Sequence, residues 1–192
     1  MVELGSGDFV YETTGEDWGK LQPDATYKEA TAVAVDANDN VFVFNRGTHP
    51  MIVFNADGDI LDTWGHGEFD NPHGVTIGPD GSIYTVDNGD HTVKKFTPKG
   101  EKLAEIQAQH PAKAMSGDPF CYPAHLAIDP ATGDMLVADG YGNARVHKYD
   151  PDGNLIMSWG ESGTAPGQFN IVHNLIVDDE GLVYIADREN QR

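Results

Sequence analysis

From about Ala32 onward, apolar and polar residues alternate in short runs that end in turns rich in Asp, Asn and Gly. Val33-Ala34-Val35-Asp36 leads through Ala37-Asn38-Asp39-Asn40 into Val41-Phe42-Val43-Phe44. Met51-Ile52-Val53-Phe54 leads through Asn55-Ala56-Asp57-Gly58 into Ile60-Leu61-Asp62-Thr63-Trp64. Runs of β-branched and aromatic residues bounded by such turns predict strands joined as hairpins. The period of two excludes a solenoid of helices. The pattern then restarts at Val75-Thr76-Ile77-Gly78, at Leu126-Ala127-Ile128-Asp129 and at Leu175-Ile176-Val177-Asp178, so that Asp36, Gly78, Asp129 and Asp178 are spaced by 42, 51 and 49 residues. Four short strands per unit, at roughly 40 to 50 residues, predict the blades of an all-β propeller. A two-layer sandwich is the rival fold, but it would not repeat its turns so faithfully.

The chain holds three such units and half of a fourth, whereas propellers close at about four to eight blades. It is therefore expected to be a fragment of a longer propeller. The alternative, two copies completing each other, leaves bare sheet edges that invite aggregation. Residues 1–28 carry Val10, Tyr11, Trp18 and Leu21 with no sustained period. They are expected to form a lead-in whose aromatics pack on the first blade, with the blades filling 29–192 as one domain.

Composition narrows the function. Twenty-two Gly and 11 Pro favour turns over long helices. A net charge of −19 argues against nucleic acid, whose binding releases counterions through Lys and Arg, and against an anionic membrane surface. Turn aspartates account for part of that charge. Cys121 is the single cysteine, so no disulfide forms within the chain, and its setting between Phe120 and Tyr122 suggests a buried small apolar residue. The start, Met1-Val2-Glu3-Leu4-Gly5, lacks the basic residues and apolar run of a signal peptide, and no apolar stretch nears membrane-spanning length. A soluble protein is expected, with cytoplasmic and secreted locations both open.

The repeat alignment sorts the eight histidines. With Val33, Val75, Leu126 and Leu175 as equivalents, the residues two before are Thr31, His73, Ala124 and His173. His73 and His173 thus share one position in the second and fourth blades, where the first strand of each blade lines the central channel. His125 is one residue off, and that offset turns a strand side chain to the other face, so it is not expected to be a ligand. Two neutral imidazoles meeting at one mouth suit zinc, although a catalytic zinc ordinarily takes three protein ligands. On register alone, a metal pair and two satisfied core histidines are equally open. A second aligned position holds Arg46, Asn88, Gly140 and Arg188, with Tyr141 next to Gly140. Two guanidiniums at that mouth suit an anionic group such as a carboxylate. A tyrosine beside cations could serve as a base.

The sequence resembles the NHL-repeat propellers, and within them the peptidyl-α-hydroxyglycine α-amidating lyases, also called peptidylamidoglycolate lyases. The resemblance spans about residues 10 to 192 and rests on Phe44-Asn45-Arg46-Gly47, Pro72-His73-Gly74-Val75, Phe120-Cys121-Tyr122-Pro123, Asp139-Gly140-Tyr141-Gly142-Asn143, Val172-His173-Asn174-Leu175 and Ala186-Asp187-Arg188-Glu189-Asn190. The resemblance implies a six-bladed propeller with a zinc held by three histidines and a structural calcium held by backbone carbonyls. His73 and His173 match two zinc ligands, Val33 and Val75 match calcium carbonyl donors, Arg46 and Arg188 match active-site arginines, and Tyr141 matches the proposed base. The implied reaction cleaves the N–Cα bond of a peptidyl-α-hydroxyglycine, or of a smaller carbinolamide, to an amide and glyoxylate. The family's third zinc histidine and the acid that helps hold calcium would lie past Arg192, and missing blades or a second copy would be needed to close the ring. Animal members pair a cysteine matching Cys121 with one that follows the tyrosine, where this chain has Gly142.

Two other classes compete. One is a non-catalytic NHL-repeat propeller acting as a protein-binding scaffold, with structural channel residues. The other is a sugar-lactone hydrolase, whose calcium would need carboxylates and Asn where this chain has His and Arg.

Overall fold

A computed structural model describes residues 2–13, 15, 17–21, 27–107, 115 and 120–192. A hairpin, β1 (Glu3–Ser6) with β2 (Phe9–Glu12), opens the chain. Blade one follows as β3 (Ala30–Val35), β4 (Val41–Asn45), β5 (Met51–Phe54) and β6 (Ile60–Trp64). Blade two is β7 (Pro72–Ile77), β8 (Ile83–Asp87), β9 (Thr92–Phe96) and β10 (Lys102–Gln107). Blade three is β11 (His125–Ile128), β12 (Met135–Asp139), β13 (Arg145–Tyr149) and β14 (Leu155–Trp159). A short parallel pair, β15 (Glu161–Ser162) and β16 (Gln168–Phe169), precedes β17 (Val172–Val177) and β18 (Val183–Asp187), which end in a single 3₁₀ turn at Arg188–Asn190.

Each blade is its own antiparallel four-stranded meander in chain order, and the fourth unit is the two-stranded sheet β17–β18. Separate sheets, rather than two stacked layers, make this an all-β propeller and remove the sandwich. The inner strands β3, β7, β11 and β17 neighbour one another in that sequence. The hairpins between strands are closed by aspartates acting on their own backbone. Asp36 accepts from the N–H groups of Asn38 and Asn40, Asp150 from Asp152 and Asn154, and Asp178 from Glu180 and Leu182. These Asx turns fix hairpin geometry and give much of the acidic charge a structural origin.

Most of the core lies between blades. Phe42, Phe44, Met51 and Val53 of blade one meet Val75, Ile83 and Phe96 of blade two. Tyr84, Val86 and Val93 meet Leu126, Met135, Val137 and Tyr149 across the next interface, and Ala127, Leu136, Ala138 and Val146 meet Val172 and Leu175 across the third. The inner strands mix buried with partly exposed positions, whereas on β8 and β12 the period of two is lost because every residue is buried. A strand sandwiched by two blades has no solvent face to leave polar.

The lead-in departs from expectation. Trp18 does pack on blade one, stacking on Phe54 at 5.2 Å and donating its indole N–H to the Ala56 carbonyl at 2.9 Å, with Leu21 beside it. Val10 and Tyr11 instead sit on the exposed opening hairpin, which the sequence pattern did not indicate. Among the described residues, no helix is long and apolar enough to cross a membrane.

Phe44 is completely buried and meets the Phe69 ring edge to face at 4.8 Å, so Phe44→Ala is expected to cost about 3–5 kcal/mol in urea unfolding. Phe9→Ala, at a ring 72% exposed, is expected to change stability by no more than about 0.5 kcal/mol.

Candidate active site

Three of the inner strands enter the sheet through an irregularity of the ladder. The ladder slips between Ala30 and Ala32, between Pro72 and Gly74, and between Val172 and Asn174. The skipped residues are Thr31, His73 and His173, the three positions that the repeat alignment makes equivalent. A bulge leaves its extra residue out of the ladder and re-aims the side chain. In blade three the ladder starts at His125, opposite Ala138, and the Ala124 N–H also donates to the Ala138 carbonyl at 2.8 Å.

The second strands end in Asn45, Asp87, Asp139 and Asp187, all buried. The residues that follow are Arg46, Asn88, Gly140 and Arg188. The N–H groups of Arg46, Asn88 and Arg188 donate to the carbonyls of Glu29, Asn71 and Ile171 at 3.0, 3.0 and 3.1 Å. The same bond in three blades places these side chains at the same mouth as the bulges. Gly140 brings in the central residue by close approach: a Cβ there would lie 2.1 Å from the Val172 carbonyl oxygen. On the other side of Tyr141, a Cβ on Gly142 would lie 2.1 Å from Cys121 Sγ. Tyr141 thus projects from a loop pressed against two neighbouring segments.

The structure brings His73, Tyr141 and His173 together. Their ring centroids lie 5.3 to 5.5 Å apart, with interplanar angles of 70 to 72°. Tyr141 Oη is 3.2 Å from His73 Nε2 and 2.9 Å from His173 Nε2, and Arg188 Nη1 donates to it at 3.3 Å. Arg188 also lies over the Tyr141 ring, 5.4 Å from its centroid. His73 Nδ1 is 2.8 Å from the Ala124 carbonyl, which can only accept, so that nitrogen carries the proton. Nε2 of the neutral ring is then a bare acceptor facing the mouth, and the phenol can donate to it. Blade three, lacking the histidine, contributes the carbonyl that orients its neighbour's.

Arg46 stands apart. Its Nε donates to the Pro72 carbonyl at 3.2 Å and its Nη1 pairs with Glu29 at 2.5 Å. It reaches His73 through its field rather than by contact, as one of the charges that lower the His73 pKa after burial; His173 and Arg188 act in the same sense. Burial followed by Arg188 lowers the His173 pKa as well. Both imidazoles are therefore neutral at physiological pH, the state in which nitrogen can ligate a metal.

Converging Nε2 atoms, a tautomer fixed by a backbone carbonyl and neutral rings are of the kind that fits zinc, for which they would supply two of four tetrahedral positions. Among the described residues no three His, Cys, Asp or Glu side chains group closely enough to hold a metal by themselves. Val33 and Val75 sit on the inner strands β3 and β7 and line the central opening.

His125 was set aside on register, yet it lies beside the site. Its Cδ2 would be 3.2 Å from a Cβ on Gly74, and Nδ1 is buried without a hydrogen-bond partner among the described residues. Burial, then the fields of His73 and His173, push its pKa down to about 4. Glu29 and the Ala124 carbonyl were also not foreseen. A backbone acceptor leaves no trace in a sequence, whereas Glu29 could have been found two positions before the aligned Thr31. Cys121 is buried as expected, and burial raises its pKa.

Residues 69–96 match the NHL repeat. Peptidyl-glycine alpha-amidating monooxygenase B of Xenopus laevis is 31% identical over 194 residues, covering 85% of this chain and 22% of that protein. A probable peptidyl-alpha-hydroxyglycine alpha-amidating lyase of Caenorhabditis elegans is 27% identical over 218 residues, covering 100% of this chain and 62% of that protein. The human NHL repeat-containing protein 3 is 36% identical over 174 residues, 83% of this chain and 49% of that protein. The chain thus spans about a fifth of the amidating monooxygenase and less than two thirds of each relative. A virginiamycin B lyase from Staphylococcus aureus superposes with a TM-score of 0.63 at 12% identity, covering 93% of this chain and 52% of that one, a likeness of fold.

His125 has a folded pKa far below the roughly 6.5 of an unfolded histidine. As pH falls from about 6.5, the unfolded chain takes up a proton that the folded one refuses, so stability present at neutral pH is lost down to about pH 4. The expected slope is about 1.4 kcal/mol per pH unit from this group. Urea unfolding between pH 7.5 and 4.5 should show it, with a shallower fall in His125→Gln; NMR titration of the His125 ring should show no midpoint above pH 5.

Proposed function

We infer, from an NHL-repeat propeller chain that resembles the peptidyl-α-hydroxyglycine α-amidating lyases, that this mouth is the active site of a zinc-dependent carbon–nitrogen lyase. The substrate is a peptidyl-α-hydroxyglycine or a similar carbinolamide, and the products are an amide and glyoxylate. One observation carries this reading: two imidazoles and a guanidinium from two blades all reach the phenol oxygen supplied by a third.

His73 and His173 would hold the zinc, which when bound supplies Lewis acidity to substrate oxygens. Val33 and Val75 would offer backbone carbonyls to a structural calcium. The guanidinium of Arg188, with that of Arg46 across the mouth, binds the substrate carboxylate, a pairing suited to planar anions. Their present partners, Glu189 at 3.0 Å and Glu29 at 2.5 Å, are carboxylates themselves, the same chemical group as the substrate's anionic end. Tyr141 Oη takes the proton of the α-hydroxyl as the C–O double bond of glyoxylate forms. The N–Cα bond breaks with its electron pair moving to nitrogen, and the amide nitrogen gains a proton, so the reaction needs no oxidant, reductant or added water. Arg188, already hydrogen-bonded to that oxygen, stabilises the phenolate form that takes this proton.

Glyoxylate release from α-hydroxyhippurate tests the reaction, and metal analysis tests the site. Tyr141→Phe is expected to lower kcat by about 10²- to 10⁴-fold, the range for loss of a general base. His73→Ala and His173→Ala are each expected to lose zinc that the parent protein retains. A parent protein that holds no metal and releases no glyoxylate would leave the binding-scaffold reading in its place.

A further inference from the structure

Blade three carries a buried polar chain that runs from its rim to the mouth. Ser158 on β14 is 2.6 Å from His147 Nδ1, His147 Nε2 is 2.9 Å from Asp139 Oδ2, and Asp139 also receives Asn143 Nδ2 at 2.7 Å and the Cys121 N–H at 2.9 Å. His147 and Asp139 are completely buried and Asn143 nearly so. The carboxylate can only accept, so His147 Nε2 carries a proton; in the neutral ring Nδ1 then accepts from the Ser158 hydroxyl. Ser, His and Asp also make nucleophilic triads, but a fully enclosed imidazole cannot pass protons to a bound substrate.

The position does not demand histidine. The equivalent ladder position in blade one is Ile52, opposite Val43, just as His147 stands opposite Val137. An apolar residue is therefore compatible with the blade. What distinguishes blade three is its loop. Asp139 lies two residues before Tyr141 and Asn143 two after, so one carboxylate grips both ends of the turn that presents the phenol. Through the Cys121 N–H it also holds the segment whose Cys121 carbonyl accepts the Gly142 N–H at 2.8 Å and whose Ala124 carbonyl orients His73. Asp87 in blade two is met by backbone N–H groups of Asp70, Asn71 and Gly89 at 2.7 to 2.8 Å. Among the described residues Asp139 is instead met by one backbone N–H and two side chains, of which His147 is the one anchored in the sheet.

We propose that His147 is a positioning residue: acting through Asp139, which sets its tautomer, and held on its other side by Ser158, it fixes the loop that carries Tyr141 against His73 and His173. Its effect on catalysis rests on the lyase reading; its effect on ring placement does not. The test is made on the full chain. An NOE between the Tyr141 and His173 rings, whose centroids lie 5.5 Å apart, reports placement directly. In His147→Leu that contact is expected to vanish, and kcat for glyoxylate release to drop about 10- to 100-fold with KM changed less than about twofold. His147→Gln, which restores a donor to Asp139, is expected to recover the contact and part of kcat. A folded His147→Leu with the contact and kcat intact overturns the proposal. Should His147→Leu not fold, Ser158→Ala decides: a weakened contact and a fall in kcat of about threefold or more support it, and no change in either sinks it. A parent protein without glyoxylate release removes the lyase reading, and the ring contact still decides the role of His147.

Discussion

A polar group buried at the end of each second strand governs the mouth of this propeller. A carboxylate shut away from water must be met by donors, or it costs several kcal/mol. Asp187 illustrates the balance: burial works to raise its pKa, but donation from the Asn170 N–H, Asn190 and Arg192 outweighs burial and holds it below the usual carboxylate range. The donors come from the segment entering the inner strand and from the loop leaving the second one. The need to satisfy one buried group therefore ties together the two segments that bear the site. In blade one Asn45 holds only the leaving loop, through the Gly47 N–H and the His49 carbonyl, and the entering segment is tied by the Arg46 N–H donating to the Glu29 carbonyl.

Because that tie recurs in every unit, side chains from different blades fall at one level, and the chemistry lies in how the units differ. The bulge position reads Thr31, His73, Ala124 and His173; the position after the buried acid reads Arg46, Asn88, Gly140 and Arg188. Where blade three gives up both a histidine and a side chain, it gains room. Gly140 lets the loop close on Val172, and the phenol of Tyr141 enters the space between the two imidazoles. The neighbouring Ala124 carbonyl sets the tautomer of His73. Omission in one blade thus completes the groups offered by two others.

Much of this was legible in the sequence, and for a physical reason. Aspartates that cap their own hairpins and the period of the inner strands are local signals, so blade boundaries and the equivalence of His73 with His173 could be counted off. Contacts between blades are not local. A register argument that assumes a regular ladder misplaces His125, because the inner strands are not regular: they slip at the bulge in blades one, two and four. The same blindness covers the opening hairpin, whose exposed Leu4, Phe9 and Tyr11 show no core-facing period, and the salt link from Glu29 to Arg46. Alignment found which residues share a position, and only the fold could say which of them touch.

The slips have a consequence for how freely such a mouth can be altered. Thr31, His73 and His173 stand outside the backbone ladder, so exchanging one for another residue leaves the ladder's own backbone bonds in place and alters only side-chain contacts such as those from Thr31 to the Phe44 carbonyl and from His73 to the Ala124 carbonyl. The scaffold's stability is stored in interfaces between blades, while its reactivity is mounted on sites those interfaces do not use. A ring of this kind can be refitted one socket at a time, trading an imidazole for a hydroxyl or a methyl group, without renegotiating the architecture that holds the sockets level.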